Sequence, residues 1–488
     1  MKKSVKELEH EIDKTPVSAD DAKTNRVYAA QQHGAESSSS SSAPVARRFS
    51  MHVAWTFATR VLMTINSVGA GVIVARWLGA EGLGALAVIN VAVATIVQLA
   101  SVGLPSANTY FIAQDERRYY APAAMNSLLF ALVGGCVLAI GLMLLAMKQP
   151  VLFGYISPKL IGIAAVSIPF QLLTLLGLNI FLAVGRIDRF NQLDVAGQSF
   201  VLINAVLALL LLGAGLWTLV SLNTAATILV SLLIVWLIGR HIAGREERTA
   251  WRFDFRLLRR MMKYGIKFHV ATLAGLLIFR ADLLVVNHFR GAAEAGVYSV
   301  ASQVAMMLMV LPGVIATLLF PRVTAEQETR AHLTCRVTRH TTFVMLLICL
   351  LSVPASFLLP LLYGAAFKDV TVQLLILLPG VFLIGIESVL VQYFNAEGLP
   401  PAIPLFWAAT LLINIALTFV LAPSYGARGA ALASTLSYTI IFALVALYFR
   451  ARAGRSLVEA LLPGRAELRE LLLMLGRGRP SVSAGQAR

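Results

Sequence analysis

Twelve stretches of about 20 apolar residues, separated by short polar loops, are the feature that most constrains this chain. About 20 residues of α-helix, at 1.5 Å each, cross the hydrocarbon core of a bilayer. Hydrophobic residues make up 58% of the chain and charged residues only 14%, and the mean hydropathy is +0.76, so a water-soluble fold could not cover its apolar surface. The sequence therefore predicts an all-α polytopic membrane protein. We place the spans at residues 51–75, 83–106, 122–147, 160–184, 193–215, 218–239, 266–288, 297–320, 341–361, 371–394, 403–421 and 429–449.

Lysine and arginine are distributed unevenly between the two sides of the predicted membrane. With the N-terminus inside, 32 of the 41 lie on the inner side, six lie on the outer side and three lie within spans. Because cytoplasmic flanks retain positive charge, both termini are expected to be cytoplasmic. The net charge of +16 is then spread over loops that face anionic lipid headgroups, so membrane lipids are expected partners and nucleic acid is not.

The polar N-terminal segment and the cysteines indicate what lies outside the spans and which sites are not expected. Residues 1–50 are polar, contain a serine run from Ser37 to Ser42 and are predicted to form a disordered cytoplasmic tail. We expect no signal peptide, because the first apolar segment has full span length and follows this tail. The three cysteines have no paired spacing and no histidine neighbours in metal-ligand register, so no disulfide, metal site or other cofactor is expected.

The longest polar connection, residues 241–265, divides the spans into two sets of six. The N-terminal bundle is predicted at residues 51–240 and the C-terminal bundle at residues 266–450. The connector mixes apolar and basic residues and is predicted to be amphipathic, lying on the inner membrane surface. Residues 451–488 form a cytoplasmic tail with a second amphipathic segment, Arg465–Met474. For both segments, docking within the protein is favoured over binding a partner.

Two glycine-rich turns indicate that the bundles are repeats. Gly79 and Gly84 follow the first span, and Gly291 and Gly296 follow the seventh with the same spacing and a nearby glutamate. Six spans is an even number, so the repeats share one orientation, which is a transporter architecture. The alternative is that two similar turns arose by chance. If they are repeats, we expect a pseudo-symmetric pair of six-helix bundles around a central cavity that opens alternately to each side.

Ionisable residues within spans mark pathways, because an unpaired charge at mid-membrane costs at least a few kcal/mol. The sequence contains no nucleophile and base pair, phosphate loop or metal cluster, so enzymatic chemistry is not indicated. Arg280 and Asp282 lie in the seventh span, where residues two apart on a helix point in nearly opposite directions. Arg280 is predicted either to face an aqueous cavity or to form an ion pair with another helix.

Three further charged residues are candidates for the same pathway. Arg60, a third of the way along the first span, either lines the cavity or extends to the inner surface. Lys267, together with His269, fits an inner-facing cationic mouth or a headgroup contact. Glu387, deep in the tenth span, either carries a coupling proton or accepts hydrogen bonds from a neighbouring helix.

Many amides also lie in or near the spans, where they either join helices or bind sugar hydroxyls. These amides are Asn66, Asn90, Gln98, Asn108, Asn126, Gln171, Asn179, Gln198, Asn204, Gln303, Gln392, Asn395 and Asn414.

At its turns the chain resembles the oligosaccharide flippases of the multidrug/oligosaccharidyl-lipid/polysaccharide exporter superfamily, over roughly residues 48–455. The order and spacing of the motifs across twelve spans make the combination specific. The motifs are Ala75–Gly84, the Arg280-Ala281-Asp282 triplet, Gly291–Tyr298, Leu362–Phe367, Asn395–Gly398 and Pro423–Ala430 with Ser437-Tyr438.

The resemblance implies a bacterial inner-membrane flippase for polyprenyl-diphosphate-linked oligosaccharides used in surface polysaccharide synthesis. The diphosphate would need cationic groups, for which Arg280, Arg60 and Lys267 are candidates, with Asp282 beside them. A polysaccharide polymerase and glycosyltransferases are possible partners. No ATP site is evident, so an ion gradient or removal of the product would drive transport.

Three other functions stay open at this point. A drug or cation antiporter of the same superfamily would be expected to carry acids in the N-terminal bundle, and the first four spans contain none. A peptidoglycan-precursor flippase would usually have two further helices and a more arginine-rich cavity. A non-transport scaffold of polysaccharide synthesis would tolerate neutralisation of Arg280 or Asp282.

Overall fold

The computed structural model describes residues 42–153, 156–243, 252–325 and 328–461, and in these ranges every regular element is a helix. Most of the predicted N-terminal tail and the amphipathic segment Arg465–Met474 lie outside the described residues. The helices are α1 (Ser42–Ser101), α2 (Leu104–Gln114), α3 (Glu116–Lys148), α4 (Pro158–Ala165), α5 (Ser167–Ala183), α6 (Ile187–Ala205), α7 (Leu216–Ala243), α8 (Phe255–Arg290), α9 (Ala292–Leu308), α10 (Val310–Ala325), α11 (Arg330–Ser356), α12 (Leu359–Tyr363), α13 (Val370–Ala396), α14 (Ala402–Ala453) and α15 (Leu457–Leu461). A π-helical turn, Val206–Leu211, extends α6.

Ten helical segments of the described chain are long and apolar enough to cross a membrane. Two of them, Ala58–Ser101 in α1 and Ala402–Ala453 in α14, are 44 and 52 residues long and are broken at Gly79 and Gly426, so each contains two spans. The predicted polytopic all-α fold of about twelve spans is therefore confirmed. Large apolar side chains on α3 are exposed, as a lipid-facing surface requires: Val133, Val137, Ile140, Met143, Leu144 and Met147.

The two glycine turns have the same backbone conformation. Gly79 has φ 70° and ψ −172°, and Gly291 has φ 82° and ψ 174°. Positive φ combined with extended ψ is accessible essentially only to glycine, so each turn interrupts its helix at the first glycine of the motif. We call α1–α7 the N-terminal half and α8–α15 the C-terminal half.

The end of the connector is not a separate surface helix but the beginning of α8, which runs unbroken for 36 residues to Arg290. Asp254 begins the helix, since its Oδ1 accepts a hydrogen bond from the Leu257 backbone N–H at 3.0 Å. Asn126 of α3 holds the same residue, donating to the Asp254 carbonyl at 2.9 Å and accepting from its N–H at 3.0 Å. The seventh-span helix is thus anchored on the N-terminal half.

Candidate central cavity and its closed ends

A cavity of about 410 Å³ lies between the two halves. Its walls come from both arms of α1, from α6 and α7, and from α8 and α9. The polar groups among its lining residues are mostly uncharged hydroxyls and amides, which can both donate and accept hydrogen bonds. They are Ser67, Asn90, Thr95, Asn223, Ser299, Ser302 and Gln303.

Arg280 is the one cation among the described residues that line this cavity. Its guanidinium has no hydrogen bond and no ion pair within 4 Å in the described part of the chain, although the Asp282 carboxylate exerts an attraction from farther away. Five guanidinium N–H groups are therefore available to an anion that enters the cavity. Of the two arrangements open for Arg280, the geometry favours the one that faces the cavity.

Asp282 borders the same cavity but is 3% exposed, and its carboxylate is engaged within the C-terminal half. Tyr298 Oη of α9 and Ser434 Oγ of α14 both donate to Oδ2, the latter at 2.9 Å, and the Leu283 N–H donates to Oδ1 at 2.8 Å. The carboxylate thereby joins three helices. These contacts favour a structural role for Asp282 over direct contact with an anionic ligand.

Replacing Tyr298 with phenylalanine is expected to lower the free energy of unfolding by about 1–3 kcal/mol, because the buried Asp282 carboxylate loses a donor. The measurement is the unfolding midpoint of the purified protein in detergent. Tyr425→Phe is the matched control, since Tyr425 is 66% exposed. Equal midpoints for both variants would contradict a structural role for the Tyr298 hydroxyl.

At one end of the cavity the two glycine motifs contact each other. A Cβ added to Gly84 would overlap the Ala292 carbonyl, and one added to Gly296 would overlap the Ala80 carbonyl. Such an approach is possible only because neither position has a side chain. We call this the turn end, and the predicted orientation places it on the outer side.

Arg76 strengthens the turn end by joining the halves through hydrogen bonds. Its Nε donates to the Leu362 carbonyl at 2.8 Å, and its Nη2 donates to the Leu361 carbonyl. Tyr363, next in the chain, is buried, and burial raises its pKa to about 12, so its hydroxyl stays neutral. Inside the cavity, Gln303 Nε2 donates to Ser67 Oγ at 2.7 Å, which is a further bond between the halves.

The halves also meet at the opposite end, which we call the connector end. Gly103, just after α1, and Gly265 of α8 approach so closely that a Cβ on either would overlap the carbonyl of the other. Tyr110 stacks on Tyr264 beside them, with ring centroids 4.2 Å apart. The cavity therefore lies between two backbone contacts, one at each end of the second arm of α1.

Arg60 does not line the cavity but pairs with Asp194 of α6, at 3.4 Å between Nη1 and Oδ2. The Arg60 side chain is 45% exposed and that of Asp194 is 20% exposed. The same two helices are joined a second time, farther along both, where Asn66 Nδ2 donates to Ser199 Oγ at 3.0 Å. Asp194 was missed in the sequence because it lies at the edge of the predicted fifth span, where an acid reads as part of the loop. The absence of acids from the first four predicted spans therefore did not mean that the helices of the N-terminal half lack an acid.

The remaining candidates are Lys267, with His269, and Glu387. The side chain of Lys267 lies outside the described residues, and His269 is buried. Glu387 of α13 is 1% exposed and lines a second cavity, of about 510 Å³, within the C-terminal half. Phe279 and Trp407, whose ring centroids are 6.3 Å apart, form part of its wall, and Phe279 also borders the central cavity.

The Glu387 carboxylate has no hydrogen-bond donor among the described residues, and its Oε1 is fully buried. The polar neighbours on its own helix bond elsewhere: Ser388 Oγ donates to the Gly385 carbonyl at 2.7 Å, and Gln392 Nε2 donates to the Ser388 carbonyl at 3.0 Å. A buried acid without donors is expensive in its charged form, which makes it a candidate for proton uptake.

Solved structures with this fold are membrane transporters. The lipid II flippase MurJ, in an inward closed conformation, superposes with a TM-score of 0.66 at 17% identity, covering 87% of this chain and 92% of that one. An inward-facing multidrug resistance MATE family transporter of the MOP superfamily gives a TM-score of 0.65 at 16% identity, covering 80% and 94%. At these identities the likeness shows the fold, and the fold expected from the turn motifs is confirmed.

Sequence comparison identifies the family. The succinoglycan biosynthesis transport protein ExoT of Rhizobium meliloti (strain 1021) is 28% identical over 283 residues, which are 56% of this chain and 54% of that protein. The chain therefore matches about half the length of this relative. A family model described as polysaccharide biosynthesis protein matches residues 73–372, which is more than half of the chain. The protein accordingly belongs to the polysaccharide biosynthesis protein family.

Proposed function

We propose that the protein is a flippase that moves a polyprenyl-diphosphate-linked oligosaccharide across the bacterial inner membrane for surface polysaccharide synthesis. In this proposal the diphosphate is held in the central cavity, the sugars contact its hydroxyls and amides, and the lipid tail stays in the bilayer. Both termini and the connector end then face the cytoplasm. The names of two similar proteins, a succinoglycan biosynthesis transport protein and a lipid II flippase, are in keeping with this class of cargo.

The observation that carries the proposal is the Arg280 guanidinium, which lines the central cavity and has no hydrogen bond or ion pair among the described residues, whereas Asp282, the other charged residue of the lining, is engaged by Tyr298 and Ser434. A half-buried cation without a partner inside a membrane protein is costly, and an anionic ligand lowers that cost when it binds. Arginine also matches phosphate oxygens with two parallel hydrogen bonds. A diphosphate attached to a polar oligosaccharide supplies both the anion and the hydroxyl groups that such a lining recognises.

The two contacts between the halves support alternating access. Each is centred on closely packed glycine backbones, with Arg76 beside them at the turn end and the Tyr110–Tyr264 stack at the connector end. The two contacts lie apart, so either could separate while the other persists. Opening at the connector end would admit cargo from the cytoplasmic leaflet, and opening at the turn end would release it on the other side.

The leaflet location of the lipid-linked oligosaccharide tests this function. A strain that lacks the protein is compared with the same strain after complementation, using a membrane-impermeant sugar-modifying enzyme on the periplasmic side. Repeat units that become accessible only on complementation are the expected result. Unchanged accessibility would exclude a flippase and favour an antiporter or a scaffold role.

We further propose that Glu387 takes up a coupling proton, because it is the one titratable group among the residues that line the second cavity. Glu387→Gln is expected to abolish the dependence of transport on an imposed proton gradient in proteoliposomes. The control is Glu397→Gln, which removes an acid that instead pairs with Arg452 at 3.6 Å near the end of α13. A proton dependence that survives in Glu387→Gln would leave this residue with a structural role.

A drug or cation antiporter is the second candidate, favoured by the acid and the two aromatic rings of the second cavity, a combination that suits organic cations. This function predicts that loss of the protein raises drug susceptibility and leaves the accessibility of the oligosaccharide unchanged. The leaflet experiment therefore separates the two functions.

A further inference from the structure

The first turns of α8 and the residues just before it present five exposed cationic side chains, which we call the basic surface: Arg252, Arg256, Arg259, Arg260 and Lys263. We infer that this surface binds the headgroups of anionic phospholipids. The inference concerns the connector end of the molecule and does not depend on the identity of the transported cargo.

The arrangement of the cations is that of one helix face. Arg256, Arg259, Arg260 and Lys263 follow the three- and four-residue spacing that places side chains in a stripe, whereas Leu257, Leu258 and Met261 are buried against the protein. None of the five cations has a hydrogen bond or ion pair among the described residues.

The positive charge of residues 252–263 is nearly uncompensated by acidic residues of the same segment. Asp254 is the one acid in residues 252–263, and its carboxylate is already used to begin the helix. Phosphate and phosphoglycerol headgroups carry the complementary charge, and a cation near an anionic membrane surface attracts them.

Two exposed aromatic rings distinguish a membrane from a soluble acidic partner. Phe253 is 47% exposed and Phe255 is 66% exposed, with ring centroids 6.4 Å apart. The same helix continues into the membrane-spanning segment His269–Arg290, so these rings and the basic surface precede that segment by a few helical turns. Exposed aromatic rings beside cations are typical of segments that contact a membrane surface.

The basic surface is also preformed. The Asn126 amide fixes the first residue of the helix, and the stacked Tyr110 and Tyr264 rings fix the helix two to three turns later. Lipid binding therefore requires no folding of this segment, and an occupied surface would hold the same continuous helix that carries Arg280.

Spin-labelled lipids in proteoliposomes test the inference. The full-length protein is reconstituted in phosphatidylcholine with trace spin-labelled phosphatidylglycerol or phosphatidylcholine, and the motionally restricted fraction gives the relative association constant of the two. The test variant is Arg256→Gln/Arg259→Gln/Arg260→Gln. The matched control, Lys148→Gln/Lys159→Gln/Lys368→Gln, removes three exposed cations from the opposite ends of the helices.

We expect the wild type and the control variant to prefer phosphatidylglycerol over phosphatidylcholine. In the test variant, the association constant for phosphatidylglycerol relative to phosphatidylcholine should be about tenfold lower. The wild-type preference should also decline as salt is added. Phe253→Ser/Phe255→Ser, which keeps all five cations, should lose part of the preference. An undiminished preference in the test variant, an equal loss in the control, or a wild-type preference that salt does not change would each overturn the inference.

Discussion

Replacing Gly84 with leucine is expected to reduce transport by about tenfold or more, because the halves can no longer close at the turn end. Even the first carbon of a side chain at this position would overlap the Ala292 carbonyl and lie 2.7 Å from the Gly296 nitrogen. Both are backbone atoms of the opposite half, which cannot turn aside as a flexible side chain can. The readout is the accessibility of lipid-linked oligosaccharide in complemented cells, at matched protein levels.

A second substitution of the same kind serves as the control for this experiment. Gly141→Leu introduces the same side chain on α3, where an added Cβ meets no atom within 4 Å, and transport should be unchanged. Arg76→Gln tests the same closure without a steric clash, since it removes the bonds to the Leu361 and Leu362 carbonyls. Transport at wild-type level in both Gly84→Leu and Arg76→Gln would contradict a role for the turn end in the transport cycle.

Replacing Arg280 with alanine is expected to reduce transport by about 10- to 100-fold, since charge-assisted hydrogen bonds contribute about 1.5–3 kcal/mol each. Arg280→Lys should retain part of the activity, because it keeps the charge and loses the planar pair of donors. The fold should tolerate both changes, as the guanidinium has no hydrogen bond or ion pair among the described residues to lose.

Arg336→Ala is the control for the arginine, because Arg336 is exposed near the beginning of α11 and outside both cavities. It should transport at the wild-type rate. If Arg280→Ala matches this control while protein levels are equal, Arg280 does not bind the cargo. The scaffold role, which predicts that neutralising Arg280 has no effect, would then gain support.

The sequence was sufficient for the features that depend on composition and local conformation. Hydropathy located the spans, because each must satisfy its own backbone hydrogen bonds in lipid. The glycine motifs indicated the repeat because the turn after Gly79 or Gly291 requires a conformation that other residues avoid. Arg280 stood out because a charge so deep in a span needs an explanation.

Features that depend on which helices are in contact could not be predicted from the sequence. The side-chain donors to Asp282 are Tyr298 and Ser434, on two other helices, and nothing in the local sequence connects them. The division between a central cavity with Arg280 and a separate cavity with Glu387 depends on how α8 packs, with Phe279 bordering both. The contact between Gly103 and Gly265 was not predicted for the same reason, because nothing in the local sequence of either glycine indicates that the two halves meet there.

The contact at the turn end joins the second glycine of one motif to the second glycine of the other. A residue that meets its own equivalent is what a two-fold symmetric dimer produces on its axis. A single six-span copy would therefore already possess the surface needed to pair with a second copy in the same orientation. The contact at the connector end lacks this property, since the motif spacing aligns Gly103 with Ile315 rather than with Gly265. The molecule therefore resembles a two-fold homodimer only at the turn end. At the connector end the two halves contribute different residues, so each half can have a different function there.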